Sequence, residues 1–273
     1  MKLIVDSGAT KTDWCFRDTE GRLCHHFSRG MNFAHMDAGT LSGIMQEAAE
    51  AVGPGVEEVH LYAAGLLERP ATPLEPFFPG AAVFYETDLL GAARAVCGRE
   101  KGIAVILGTG SNSCLYDGQR IVRNIHSGGF ILGDEGSGSV LGKSFLADLI
   151  KGLVPKGTAE AFAAEGFPAD YLTIVREVYR SAAPAKFLGS LAPWLLARYG
   201  EDAYVKELID GNFRSFISRV LLQYGLEGPV GVVGGFGCAC KEILQRLGRE
   251  AGLRFTTFLA SPIEGLIAYH YGI

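Results

Sequence analysis

Two apolar strands, each running straight into a glycine-rich turn and leaving it as a second strand, narrow what this chain can fold into. Leu3-Ile4-Val5 enters the turn Asp6-Ser7-Gly8-Ala9-Thr10, and Thr12–Phe16 continues as a strand. Ala104–Leu107 enters Gly108-Thr109-Gly110-Ser111-Asn112, and Ser113–Tyr116 continues in the same way. Both outgoing strands carry a cysteine and an aromatic, and both run to an Asp/Gly turn, at Asp18–Gly21 and Asp117-Gly118. Gly8 and Gly110 therefore read as counterparts, and repetition of the whole unit predicts a duplicated domain. The chain has 37 glycines in 273 residues, about twice the usual share, so tight turns carry much of its information.

Between and after these units, apolar spacing predicts the remaining elements. Leu23–Ser28, Val59–Ala63 and Ala82–Tyr85 read as strands, and Leu41, Ile44, Met45, Ala48 and Val52 recur at helical spacing. Leu89–Cys97 is a helix stopped by Gly98. Three strands followed by alternating helices and strands make an α/β layer with a mixed sheet. In the second half Ile121–Ile125 is a strand, and Val140, Leu141, Phe145 and Leu149 share a helix face. Val205 to Leu221 trace a long amphipathic helix. Val230–Val233 and Phe255–Phe258 are strands flanking a helix, and Ser261-Pro262-Ile263-Glu264 reads as a capping box opening a final helix.

Composition excludes several classes. Lysine and arginine number 25 against 30 acidic residues, a net charge of −5, so neither nucleic acid nor anionic lipid is an expected partner. The longest charge-free stretch, Gly102–Tyr116, is broken by Gly, Thr, Ser and Asn, and no membrane span is expected. Asp6 follows only three apolar residues, too few for a signal-peptide core, so a cytoplasmic location is expected. Six scattered cysteines without a C-x-x-C pair read as reduced core residues, not as metal ligands.

The glycine turns are where chemistry can sit, because successive backbone N–H groups there form concave anion sites. Gly108–Ser113 lacks the third glycine of a dinucleotide fingerprint, and Gly142-Lys143-Ser144 has the tail of a Walker loop without a correctly placed leading glycine. Lys143 accordingly reads as a solvated helix side chain. The Asp6–Asp13 segment can hold hydrated Mg²⁺ at Asp6 and phosphates on the turn amides, with Thr10 and Lys11 as further donors. It reads equally well as a hairpin whose Asp6 and Thr10 satisfy local N–H groups.

Four motifs occur in order: D-x-G-x-T-K-T from Asp6, G-T-G-S-N from Gly108, G-D-E-G-S-G from Gly133, and V-V-G-G-F-G from Val232. In this the chain resembles the N-acetylglucosamine kinase/BadF-type ATPase family, within the superfamily of actin, hexokinases and chaperone ATPases. The resemblance implies two α/β, ribonuclease-H-like (actin-like ATPase) domains with mixed sheets flanking an interdomain cleft that takes ATP and Mg²⁺. The domains are expected at residues 1–101 and 102–273, the second with a helical insertion at about 134–200 and a final helix, 262–271, able to pack back on the first.

By the same likeness Gly8, Thr10, Lys11 and Thr12 form the first phosphate loop, with Mg²⁺ held through water by Asp6. Gly108, Thr109, Gly110 and Ser111 form the second loop, and Gly234, Gly235 and Gly237 pack on the adenosine. Asn32, Thr87, Asp88, Gly129 and Asp134 are the implied sugar ligands, with Asp88 as the general base that accepts the hydroxyl proton. Thr87 or Asp88 also reads as the N-cap of the following helix, and Asp134 as the cap of the next. The chain departs from the family pattern at Ser7, at Ala9, at Ala63-Ala64 and in the shortened segment before Gly133.

The implied activity is ATP-dependent phosphorylation of an amino sugar of the N-acetylglucosamine or glucosamine class, with the small-molecule sugar as partner; a homodimer is compatible with it. The alternative is a regulatory ATPase resembling the activators of 2-hydroxyacyl-CoA dehydratases, with Cys238 and Cys240 as the residues to watch.

Overall fold

A computed structural model describes all of the chain except Ala9, Thr10, Asn32, Ala34, His35, Leu67, Leu226, Glu227 and Ile273. It divides into two units, and the division takes more than one cut. The first comprises Met1–Glu100, Tyr116–Ile121 and Ser261–Ile273; the second comprises Lys101–Leu115 and Val122–Ala260.

The first unit begins β1 (Lys2–Ser7), β2 (Lys11–Arg17), β3 (Leu23–Arg29), α1 (Ala38–Val52), β4 (Glu58–Ala63), β5 (Ala82–Thr87) and α2 (Asp88–Cys97). Its sheet has the order β3-β2-β1-β4-β5. The first three strands are antiparallel neighbours, and β1, β4 and β5 run parallel, so the sheet is mixed. Alternation along each strand sorts the side chains by face. Leu3, Val5, Trp14, Phe16, Val59 and Leu61 pack on the apolar stripe of α1. That helix starts where the Asp37 carboxylate accepts from Thr40 N at 2.9 Å.

The second unit holds β6 (Gly102–Leu107), β7 (Ser111–Tyr116), β8 (Ile121–Asn124), α3 (Gly129–Leu132) and α4 (Gly138–Leu149). Four short helices follow, α5 (Lys156–Ala164), α6 (Tyr171–Arg180), α7 (Pro184–Gly189) and α8 (Ala192–Ala197), and then α9 (Ala203–Arg219). β9 (Val230–Val233), α10 (Gly235–Ala239), α11 (Lys241–Glu250) and β10 (Phe255–Leu259) complete it. The sheet order β10-β9-β6-β7-β8 is the order of the first sheet read backwards, element for element. The repeat is therefore architectural. By strand ends it is Gly108, not Gly110, that matches Gly8, since β1 stops at Ser7 and β6 at Leu107.

Three local expectations change. The helix expected through Leu221 ends at Arg219 and tightens into a 3-10 turn over Leu221–Tyr224. The helix expected after the late glycine loop is two, broken at Cys240. The last helix, α12 (Ile263–Tyr271), has Pro262 at its cap position and no side-chain cap. Ser261 does not complete a capping box: its hydroxyl donates to the Asp6 carboxylate at 3.4 Å and accepts from Ile263 N at 3.5 Å, one residue short of the box.

α12 lies on the opposite face of the first sheet from α1. Ile263, Leu266 and Ile267 pack with Ile4, Cys15 and Tyr62, each such aliphatic side chain contributing about 1.5–3 kcal/mol on full burial. A methyl at Gly265 would lie 2.3 Å from the Ala95 carbonyl oxygen, so glycine there lets α12 press directly on α2.

Candidate functional site

In the first unit three carboxylates gather at the end of β1. Asp6 and Asp13 are direct partners across the β1–β2 ladder, and Asp88 opens α2 at the end of β5. Burial pushes the Asp6 carboxyl up to about 7; the Ser261 hydroxyl and Lys11 oppose the shift, and Asp13 and Asp88 add to it. Asp88 is also raised, chiefly by burial, while the Leu89 N–H that its Oδ1 accepts at 2.8 Å pulls the other way. A carboxylate whose proton affinity is raised is a better proton acceptor for a hydroxyl. The cap of α2 belongs to Thr87, whose hydroxyl accepts from Leu90 N at 3.2 Å, so Asp88 does not serve as the cap.

The hairpin beside these carboxylates is held from within. Gly8 N donates to Lys11 O at 3.0 Å. Thr12 is fully buried, its hydroxyl donating to Arg29 O at 2.9 Å and sharing a hydrogen bond with Ser7, so that it supports the turn. Lys11 is exposed, with its ammonium 3.8 Å from the Phe27 ring centroid. The expected roles of Thr10 and Asn32 lie outside the described residues. Asp13 was missed in the sequence; its signal was the pairing register, which places it opposite Asp6. His25 Nδ1 lies 2.9 Å from Asp13 Oδ1 and fixes that carboxylate.

The second unit contains a pocket of about 520 Å³ lined by Gly108, Thr109, Gly138, Leu196, Gly235 and Phe236, among others. The loop after β6 is tied to the start of α4, because Gly108 O and Thr109 O accept from Gly138 N and Ser139 N at 2.9 and 3.0 Å. Gly234 has φ +121, and a Cβ there would sit 2.3 Å from Leu107 O; one at Gly237 would sit 2.5 Å from Val232 Cγ1. Both glycines let the late loop close against β6, while Gly235 is open toward the pocket. A volume of this size, walled by backbone and apolar side chains, suits a nucleoside.

Next to this pocket Asp134 bends over the second loop. Its Oδ2 lies 3.0 Å from where a Gly110 Cβ would be, and the Ser111 N–H helps hold the carboxylate. Asp134 is 8% exposed and has φ 57, the sole positive φ among the described non-glycine residues. It is not the cap of α4; Ser137 is, accepting from Val140 N at 3.2 Å. Gly129, φ +72, begins α3 immediately upstream. Asn212 of α9, also missed, braces the loop by accepting from Gly136 N and donating to Ser137 O, both at 3.1 Å.

Among the described residues no group of three or more His, Cys, Asp or Glu could hold a metal alone, and none of the helices is long and apolar enough to cross a membrane. Mg²⁺ commonly takes one or two carboxylates together with substrate phosphates, and Asp6 is such a donor. Cys240 is buried, and its burial pushes the thiol up to about 12, as suits a core residue.

No family model and no curated protein matches the chain. Solved structures do. A candidate N-acetylglucosamine kinase from Porphyromonas gingivalis is 36% identical, with 100% of this chain and 99% of that one covered and a TM-score of 0.88. A second candidate N-acetylglucosamine kinase, from Chromobacterium violaceum, shares the fold at 21% identity, 98% coverage of each chain and a TM-score of 0.75. A candidate N-acetylmannosamine kinase from Listeria monocytogenes shares it at 15% identity, covering 99% of this chain and 96% of its own, with a TM-score of 0.57.

Proposed function

Because the chain belongs to the N-acetylglucosamine kinase/BadF-type ATPase family, we propose that this ATP-dependent sugar kinase acts on an amino sugar of the N-acetylglucosamine or glucosamine class. The observation that carries the reading is the full-length likeness, at 36% identity, to a candidate N-acetylglucosamine kinase, and it is supported by the position of Asp88 at a helix start beside the Asp6 hairpin. ATP would supply the phosphoryl group and Mg²⁺ the counter-charge for its oxygens.

This chain's residues do the rest. Asp6 offers the carboxylate for the metal's water shell, Lys11 offers its ammonium to phosphate oxygens, and Gly8, without a side chain, leaves them room to approach the turn. The Gly108–Gly110 loop and Gly235 receive the nucleotide in the pocket of the second unit. Asp134 accepts a hydrogen bond from a sugar hydroxyl and so orients the ring. Asp88 takes the proton of the attacking hydroxyl at its carboxylate, so that no free alkoxide has to form in water. A coupled assay against N-acetylglucosamine, glucosamine, N-acetylmannosamine and glucose tests the substrate class. Turnover confined to glucose, or none with any sugar, would remove the amino-sugar reading.

A further inference from the structure

The connection between β8 and α4 is built more tightly than a loop requires. Glycines at 128 and 129, both at positive φ, open the four-residue helix α3. At Gly133 a Cβ would lie 1.7 Å from Ser127 O, so the chain passes there only without a side chain. Asp134 N donates to Ser127 O and Asp134 O accepts from Ser137 N, both at 3.0 Å. A left-handed aspartate is strained and persists where its surroundings over-determine it.

Part of that surrounding is Lys143, in the second turn of α4. Gly142 beside it is explained by helix packing, since a Cβ there would meet Leu188 O at 2.0 Å. Lys143 is not simply solvated. Its ammonium reaches back and donates to the carbonyl of Phe130, in the middle of α3.

We infer that Lys143 is a positioning residue for sugar binding: its bond to Phe130 clamps the α3 loop that leads into Asp134. This rests on the reading of Asp134 as a sugar ligand. The groups acting on Asp134 are few. Burial and the neighbouring Glu135 favour its protonated form, whereas the Ser111 N–H, the Ser127 hydroxyl and Lys143 favour the carboxylate. Glu135 is itself engaged by Arg219 of α9 at 3.0 Å. Of these groups Lys143 is the one that both carries a positive charge on Asp134 and holds the loop. Without it Asp134 takes up a proton more readily and loses the charge-assisted bond that an ionised acceptor makes to a hydroxyl.

The test compares K143M and K143R in the full chain. The carboxyl ¹³C resonance of Asp134, assigned by its loss in D134N, is titrated by NMR without sugar. Its midpoint is expected to rise in K143M and to return in K143R. With the sugar that the wild-type chain phosphorylates, K143M is expected to raise the sugar KM about tenfold, with kcat and the ATP KM little changed. An unmoved titration in K143M, or an arginine that fails to restore it, overturns the inference. A wild-type chain that phosphorylates no sugar overturns the substrate reading instead, and the titration decides the role of Lys143 either way.

Discussion

The hydroxyl of Ser261 meets the carboxylate of Asp6 at 3.4 Å, joining the start of the last helix to the end of the first strand. Ser261 is nonetheless outweighed by burial, which leaves Asp6 with a carboxyl titrating near 7. Its folded-state value lies above the unfolded one, so its contribution to stability is present below about pH 4 and is lost as pH rises through 7. Asp6→Asn is expected to raise the stability of the ligand-free protein by up to about 4 kcal/mol at pH 8 and to leave it unchanged near pH 4. The same variant should lose Mg²⁺-dependent turnover. Thermal melts at the two pH values, paired with a kinase assay, check both halves.

At α2 the cap and the proposed base are different residues, which makes them separable. Asp88→Asn should lower kcat by about 10²–10⁴ while the melting temperature and nucleotide binding hold. Thr87→Ala should cost about 1 kcal/mol of stability through the lost cap and reduce kcat far less than the Asp88 change. Steady-state kinetics and denaturant titration of the two variants separate the roles.

His60 and His270 stack with ring centroids 4.1 Å apart, and His270 Nε2 lies 2.8 Å from Tyr62 Oη. Burial, the neighbouring imidazole, Lys2 and Arg94 push His270 down to about 3, and burial is the main cause of lowering at His60. Below about pH 6.5 the unfolded chain binds protons that the folded one does not, so stability should fall as pH drops from 6.5 toward 3. The slope is at most about 1.4 kcal/mol per pH unit for each histidine. Denaturant titrations across this range should show a shallower fall for His270→Gln than for the wild type.

Gly110→Ala places a methyl 3.0 Å from Asp134 Oδ2, where the carboxylate has to give way and the backbone does not. The expected result is a raised sugar KM with a nearly unchanged melting temperature. An unchanged sugar KM in steady-state assays would show that Asp134 does not touch the sugar.

Strand and helix placement was readable because period-two and period-3.6 patterns are properties of consecutive residues: Leu3, Val5 and Trp14, or Leu41, Ile44 and Met45, each announce one face. Family motifs were readable for the same reason, being contiguous. What stayed hidden depends on pairing across the chain. Asp13 becomes notable only in register with Asp6, and Lys143 only once α3 forms a turn that its ammonium can reach. Ser261 was misread because Ser-x-x-Glu is a local signature, whereas its hydroxyl is claimed by a residue at the far end of the sequence. Thr87 and Asp88 were left open because adjacent residues share the same local preference, and a single backbone geometry decides between them.

The placement of α12 in the first unit has a consequence for synthesis. Residues 1–100, 116–121 and 261–273 make one compact body, with the second unit spliced between its first and last segments. Ile4, Cys15 and Tyr62 are covered by Ile263, Leu266 and Ile267, which leave the ribosome only after the whole inserted unit. During elongation the first sheet must wait with one apolar face uncovered, while the second unit has all its own segments in hand. The later half of the chain is thus able to fold before the earlier one, and the nascent first sheet is the stretch most in need of a chaperone.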